Sequence, residues 1–163
     1  MIEIFAFPPS LLLSVAPSLR HALSPSQLAE ACGIPIKYET LPLAFGRVIY
    51  LAEASLQPPQ ITVNTTAIAT LVEAAAQAPA EHRNWFTEAA ITEVAIAHEL
   101  YHIIAHQPSS KAAELRAHEF AQALTGLPFS PHVYEALLKQ AAGCRTTKNI
   151  TWELMAGRAI PLP

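Results

Sequence analysis

Apolar positions change period along this chain, and the change predicts its elements. In "IPIKYETLPL", Ile34, Ile36 and Tyr38 alternate with other residues, as in a strand. Two more β-rich runs follow, "GRVIYLAEA" (46–54) and "QITVN" (60–64), and the prolines of "SLQPP" make a connection between them. The spacing then becomes helical. "TTAIATLVEAAAQ" predicts a helix begun near Asn64 or Thr65 and broken by "APAEH". A long helix is expected over roughly 84–106, ended by "QPSSK", and another over about 110–125 with Gly126 as its C-cap residue. "SPHVYEALLKQAAG" reads as a last helix, with Ser130 as cap and Gly143 as stop. Upstream of the strands, "SPSQLAEACG" is a short helix: Ser24 caps it, Pro25 suits its first turn, Gln27 completes a capping box and Gly33 ends it. Strands gathered before helices predict an α+β class, and 163 residues suit one domain, 1–163.

Composition narrows the function classes. Charged residues make up 14% of the chain against a usual share of about 25%. So low a charge leads us to expect that some surface is covered by a partner or a second copy, a homo-oligomer. Net charge is −3 with no run of Lys or Arg, which argues against nucleic acid as a partner. "SPSQLAEACGIPIKYETL" has the spacing of half a helix-turn-helix, but Pro35 and the alternation after it oppose a second helix there. Cys32 and Cys144 are far apart and read as reduced thiols of a cytoplasmic protein. "MIEIFAFPPSLLLSVAPSLR" has Glu3 where a signal peptide carries positive charge, and three prolines interrupt its apolar run. It is expected to be part of the fold, with no membrane span.

The chemistry lies in "EVAIAHELYHIIAH". His98-Glu99-Leu100-Tyr101-His102 is an HExxH motif. On a helix its two histidines stand one turn apart on one face, where both can reach a zinc ion, and Glu99 beside them can take a proton from the metal-bound water. Ile91, Val94 and Ala95 precede His98 on its own face, so that face is expected to point inward. His106 continues the spacing but stands eight residues from His98, about 12 Å along the axis, too far to share one ion. A third ligand must come from elsewhere, and "KAAELRAHEFAQALTG" offers Glu114 and His118, four apart on one face; either is a competent zinc ligand. Glu119 points about 100° away from His118. The plainer alternative is that all three are charges on a solvated helix face. A closed site using both Glu114 and His118 would instead mark a non-catalytic zinc-binding regulatory module.

The two segments together resemble the ImmA/IrrE family of zinc metallopeptidases, in which HExxH is followed by a helix reading approximately E-x-E-A-N-x-F-A-x-x-L-L-M-P. Here that helix reads Glu114-Leu115-Arg116-Ala117-His118-Glu119-Phe120-Ala121, and Ala117, Phe120, Ala121 and Leu124 match. Arg116 and His118 depart from the pattern, and "LTGLP" only approximates its ending. "LAEACGI", "AFGRVIYL" and "ITVN" extend the similarity over about 24–140. The resemblance implies a zincin-like fold, a small mixed sheet packed on the HExxH helix and further helices. It implies one Zn2+ per chain on His98, His102, Glu114 and a water, with Glu99 as general base for attack on a peptide carbonyl. The substrate would be a protein or peptide, such as a transcriptional repressor. With His118 as third ligand the site would look more like SprT-type zincins, which use three histidines. Ile61, Thr62, Val63 and Asn64 would lie near the sheet edge above the cleft and bind substrate. His118, Tyr134 and His132 are candidates for the oxyanion partner.

Overall fold

The computed structural model describes residues 6–42, 44–45 and 48–143. Glu3, Gly46, Arg47, Cys144 and the last twenty residues therefore lie outside the described residues. The class is α+β: a three-stranded mixed sheet packed against several helices.

The first helix, α1 (Pro9–Leu19), forms within the proline-interrupted apolar segment at the start of the chain. Pro9 occupies its first turn, where a missing N–H costs nothing, and Pro17 falls in its last turn. Helix α2 (Pro25–Ala31) has both hydrogen bonds of the capping box, Ser24 with Gln27. Glu93 reaches it from another helix, accepting from the Ser26 N–H at 2.9 Å and the Ser26 hydroxyl at 2.6 Å.

Strand β1 (Ile36–Glu39) is followed by a short antiparallel pair, β2 (Ala44–Phe45) and β3 (Val48–Ile49). The run 46–54 is thus divided: Val48 and Ile49 belong to this pair, and the chain enters the main sheet only at β4 (Ala52–Leu56). Strand β5 (Pro59–Asn64) pairs parallel with β1 and antiparallel with β4, giving the order β1-β5-β4. This corrects the expectation that Ile61, Thr62, Val63 and Asn64 lie near an edge. They form the central strand, with Ile61 and Val63 buried in the core. Asn64 ties the strand to the next helix: its side-chain oxygen accepts from the N–H groups of Thr66 and Ala67, capping α3 (Thr65–Ala74), and its amide donates to the carbonyls of Pro42 and Tyr50.

A 3-10 turn (Ala80–Phe86) precedes the central helix α4 (Glu88–Ile104). The helix starts later than residue 84 because Thr87 is its cap, its hydroxyl accepting from the Ala90 N–H at 3.2 Å. Ile91, Val94, Ala95, Ile96, Ala97, Leu100 and Tyr101 are all buried, so α4 is enclosed nearly all round. It packs on α2, α3, β4, β5 and α5 (Lys111–Thr125). Alanines at 95 and 97 let these neighbours approach closely. Helix α6 (His132–Ala141) lies against α3 and closes the cluster.

Candidate metal centre

The two motif histidines come from the last turns of α4 and the third donor from the first turn of α5. Ser110 caps α5, its hydroxyl accepting from the Ala113 N–H, and this sets the helix start that aims Glu114 at α4. Glu114 Oε2 accepts from His98 Nε2 at 3.0 Å, Glu114 Oε1 lies 3.3 Å from His102 Nε2, and the two Nε2 atoms are 3.3 Å apart. Four ligands placed tetrahedrally at about 2.0–2.1 Å from a zinc ion stand about 3.3–3.4 Å from one another. The donor atoms already sit at roughly that spacing, and imidazole and carboxylate are ligand types zinc accepts. The residues present therefore fit a zinc ion.

The surroundings prepare these donors. Helix α4 ends in a Schellman turn, with the Gln107 N–H on the His102 carbonyl and the His106 N–H on the Ile103 carbonyl. His106 occupies its left-handed position at φ 49°, where glycine is usual, and is exposed. The turn brings the Gln107 carbonyl to 3.0 Å from His102 Nδ1. A carbonyl only accepts, so Nδ1 carries the proton and Nε2 keeps its lone pair for a metal. Ser109 donates to Glu114 Oε1 at 2.6 Å. The hydrogen bond with His98 holds the Glu114 carboxyl down at about 2; burial opposes this and Ser109 adds to it. Burial pushes the His98 pKa below its ordinary value, against the pull of Glu114, which favours the neutral ring a ligand needs; to bind through Nε2 the ring would give up the proton that this nitrogen shares with Glu114.

Glu99 lines the same open cleft, of about 670 Å³, as His98, His102 and Glu114. Burial, and then the charge of Glu114, raise its carboxyl well above the usual range, while a hydrogen bond from the Ala54 backbone N–H on β4 works the other way. The strand beside the cleft is therefore β4, whose residues 52, 53, 54 and 56 line it, and not β5.

His118 does not complete the first trio. Its Nε2 lies 3.0 Å from Glu135 Oε1, and His132 Nδ1 lies 3.6 Å from Glu135 Oε2. His118, His132 and Glu135 thus form a second group of potential ligands, separate from His98, His102 and Glu114. Glu135 escaped the sequence reading, although His132 and Glu135 stand three apart on one helix face. Burial would raise the Glu135 carboxyl, but the imidazoles of His118 and His132 beside it overcome this and hold the group below the usual carboxylate range. Tyr134, an oxyanion candidate, is buried and donates its hydroxyl to the Trp85 carbonyl. Glu119 is exposed.

Comparisons with models of known families, with curated proteins and with solved structures found no match to this chain. Among the described residues, no helix is long and apolar enough to cross a membrane. Fold and site define an α+β protein with two candidate metal-binding His/Glu groups among its described residues.

Proposed function

We propose that this protein is a zinc-dependent endopeptidase of the zincin type, acting on a specific protein such as a transcriptional repressor. The observation that carries the reading is the convergence of His98, His102 and Glu114 at 3.0–3.3 Å, with Glu99 of the same motif in the same cleft. The sequence similarity to ImmA/IrrE peptidases supports it and suggests the substrate class.

His98, His102 and Glu114 would hold the ion. Zinc there supplies Lewis acidity, polarising a substrate carbonyl and making water a stronger acid. Glu99 takes the proton from the attacking water and passes it to the leaving amine. Three protein donors are the number catalytic zinc sites use, whereas structural sites use four. A regulatory module that only holds metal has no need of Glu99. The edge of β4 orients the substrate: the Ala54 N–H points away from β5, so residues 52, 54 and 56 present backbone groups to the cleft, and an extended peptide can add there as a strand.

The test is Glu99→Gln beside wild type, with zinc content by mass spectrometry and cleavage of a quenched-fluorescent peptide library. The variant should keep its zinc and lose at least about 100-fold in cleavage rate. Undiminished cleavage, or wild type that takes up no divalent metal, would overturn the reading.

A further inference from the structure

The second ligand group lies on the other wall of the cleft and the peptidase reading does not use it. Helix α6 presents His132 and Glu135 on one face, three residues apart, and α5 presents His118 opposite them. The two imidazole centroids are 4.0 Å apart and both rings turn a nitrogen to the same carboxylate, at 3.0 and 3.6 Å. We propose that His118, His132 and Glu135 form a second divalent-cation site beside the first.

Three arguments carry this. The nitrogen–oxygen separations bracket the roughly 3.3–3.6 Å expected between donors around a four-coordinate ion bonded at about 2.0–2.2 Å. The His118 side chain is only 6% exposed, yet its Nδ1 has no hydrogen-bond partner. The nitrogen turned to Glu135 is Nε2, so that single contact is the polar compensation visible for burying this ring; a cation bonded at Nε2 would add to it and leave Nδ1 as it is. Finally, the opening is right. The His132 side chain is 49% exposed, so an ion can enter from solvent, while His118 and Glu135 line the cleft. The His118 ring lies 4.6 Å from that of His98, which makes the two sites neighbours with separate carboxylates, Glu114 for one and Glu135 for the other. Two imidazoles and a carboxylate select a borderline ion such as zinc or cobalt(II) over magnesium or calcium. This site stands independently of the catalytic reading.

The test titrates metal-free protein with zinc against a chromophoric chelator and counts bound zinc per chain. Wild type should bind two. Glu135→Gln and His132→Ala should each bind one and keep the Glu114 site, and Glu114→Gln should bind one and keep the Glu135 site. His132 and Glu135 are partly exposed, so both variants should fold, as far-UV circular dichroism would show. One zinc in wild type that vanishes in Glu114→Gln overturns the second site and leaves the first standing. One zinc that vanishes in Glu135→Gln and survives in Glu114→Gln supports the second site and removes the peptidase reading. Two zinc ions retained in both Glu135→Gln and His132→Ala would place the second ion elsewhere and overturn the proposal.

Discussion

His102 is tied twice to one residue: its carbonyl accepts from Gln107 N–H and its Nδ1 donates to Gln107 C=O. The turn that makes this possible puts His106 in the left-handed region. That conformation costs an ordinary residue about 1–2 kcal/mol, part of which glycine would return to the unfolded chain. His106→Gly should therefore stabilise the metal-free protein by about 0.5–1 kcal/mol in urea unfolding; a loss would mean that the imidazole itself makes a contact. Tyr134 separates packing from chemistry. Tyr134→Phe should cost about 1 kcal/mol, because the Trp85 carbonyl loses its donor, and should leave the proposed peptide cleavage unchanged. A 100-fold fall in rate at unchanged stability would put the hydroxyl at the oxyanion after all. At this scale His98, Glu99 and His102 were legible because spacing along one helix decides where they point. The support from Gln107 was not, because a main-chain carbonyl leaves no trace in residue type.

Between elements, the decisive fact is how α5 crosses α4. Glu114 and His118 share a face, so their spacing left the third donor open. The crossing sets Glu114 over the motif histidines and turns His118 toward α6. Sequence marks faces well and crossings poorly, since a crossing depends on both partners. The same limit misplaced "ITVN". A buried strand at the centre and one near an edge can carry the same four residues, and the order β1-β5-β4 is a long-range property. The prolines of the first twenty residues interrupt the apolar run without forbidding α1: Pro9 suits its first turn, and Pro17 costs it one hydrogen bond near its end. Two changes test the α5 placement. Ser110→Ala should cost about 1 kcal/mol of stability by removing the cap. Ser109→Ala, which frees Glu114 Oε1, should weaken zinc binding about 10–100-fold in chelator competition while leaving the helix content intact.

For the molecule as a whole, charge and burial make stability depend on pH. In the metal-free protein the His98 pKa lies below its ordinary 6.5, so the unfolded chain binds more protons and stability falls as pH drops below that value. Glu114, lowered from 4.5 to about 2, adds a further loss between those values. Glu99 runs the opposite way, its raised carboxyl gaining as it protonates. Above pH 4.5 His98 and Glu99 oppose each other; below it Glu99 has no more to gain, so the metal-free protein should melt progressively lower on acidification from about pH 4.5, measured calorimetrically. Zinc should raise the melting point near neutrality, and less so as acid protonates its ligands. The cleft itself carries one more consequence. The Ala54 amide that an arriving strand would need for pairing faces the Glu99 carboxyl. On the peptidase proposal, a peptide docking along β4 would compete with Glu99 for that amide. Filling the cleft and freeing Glu99 would then be linked, so that the proposed substrate itself changes the setting of the side chain meant to act on it.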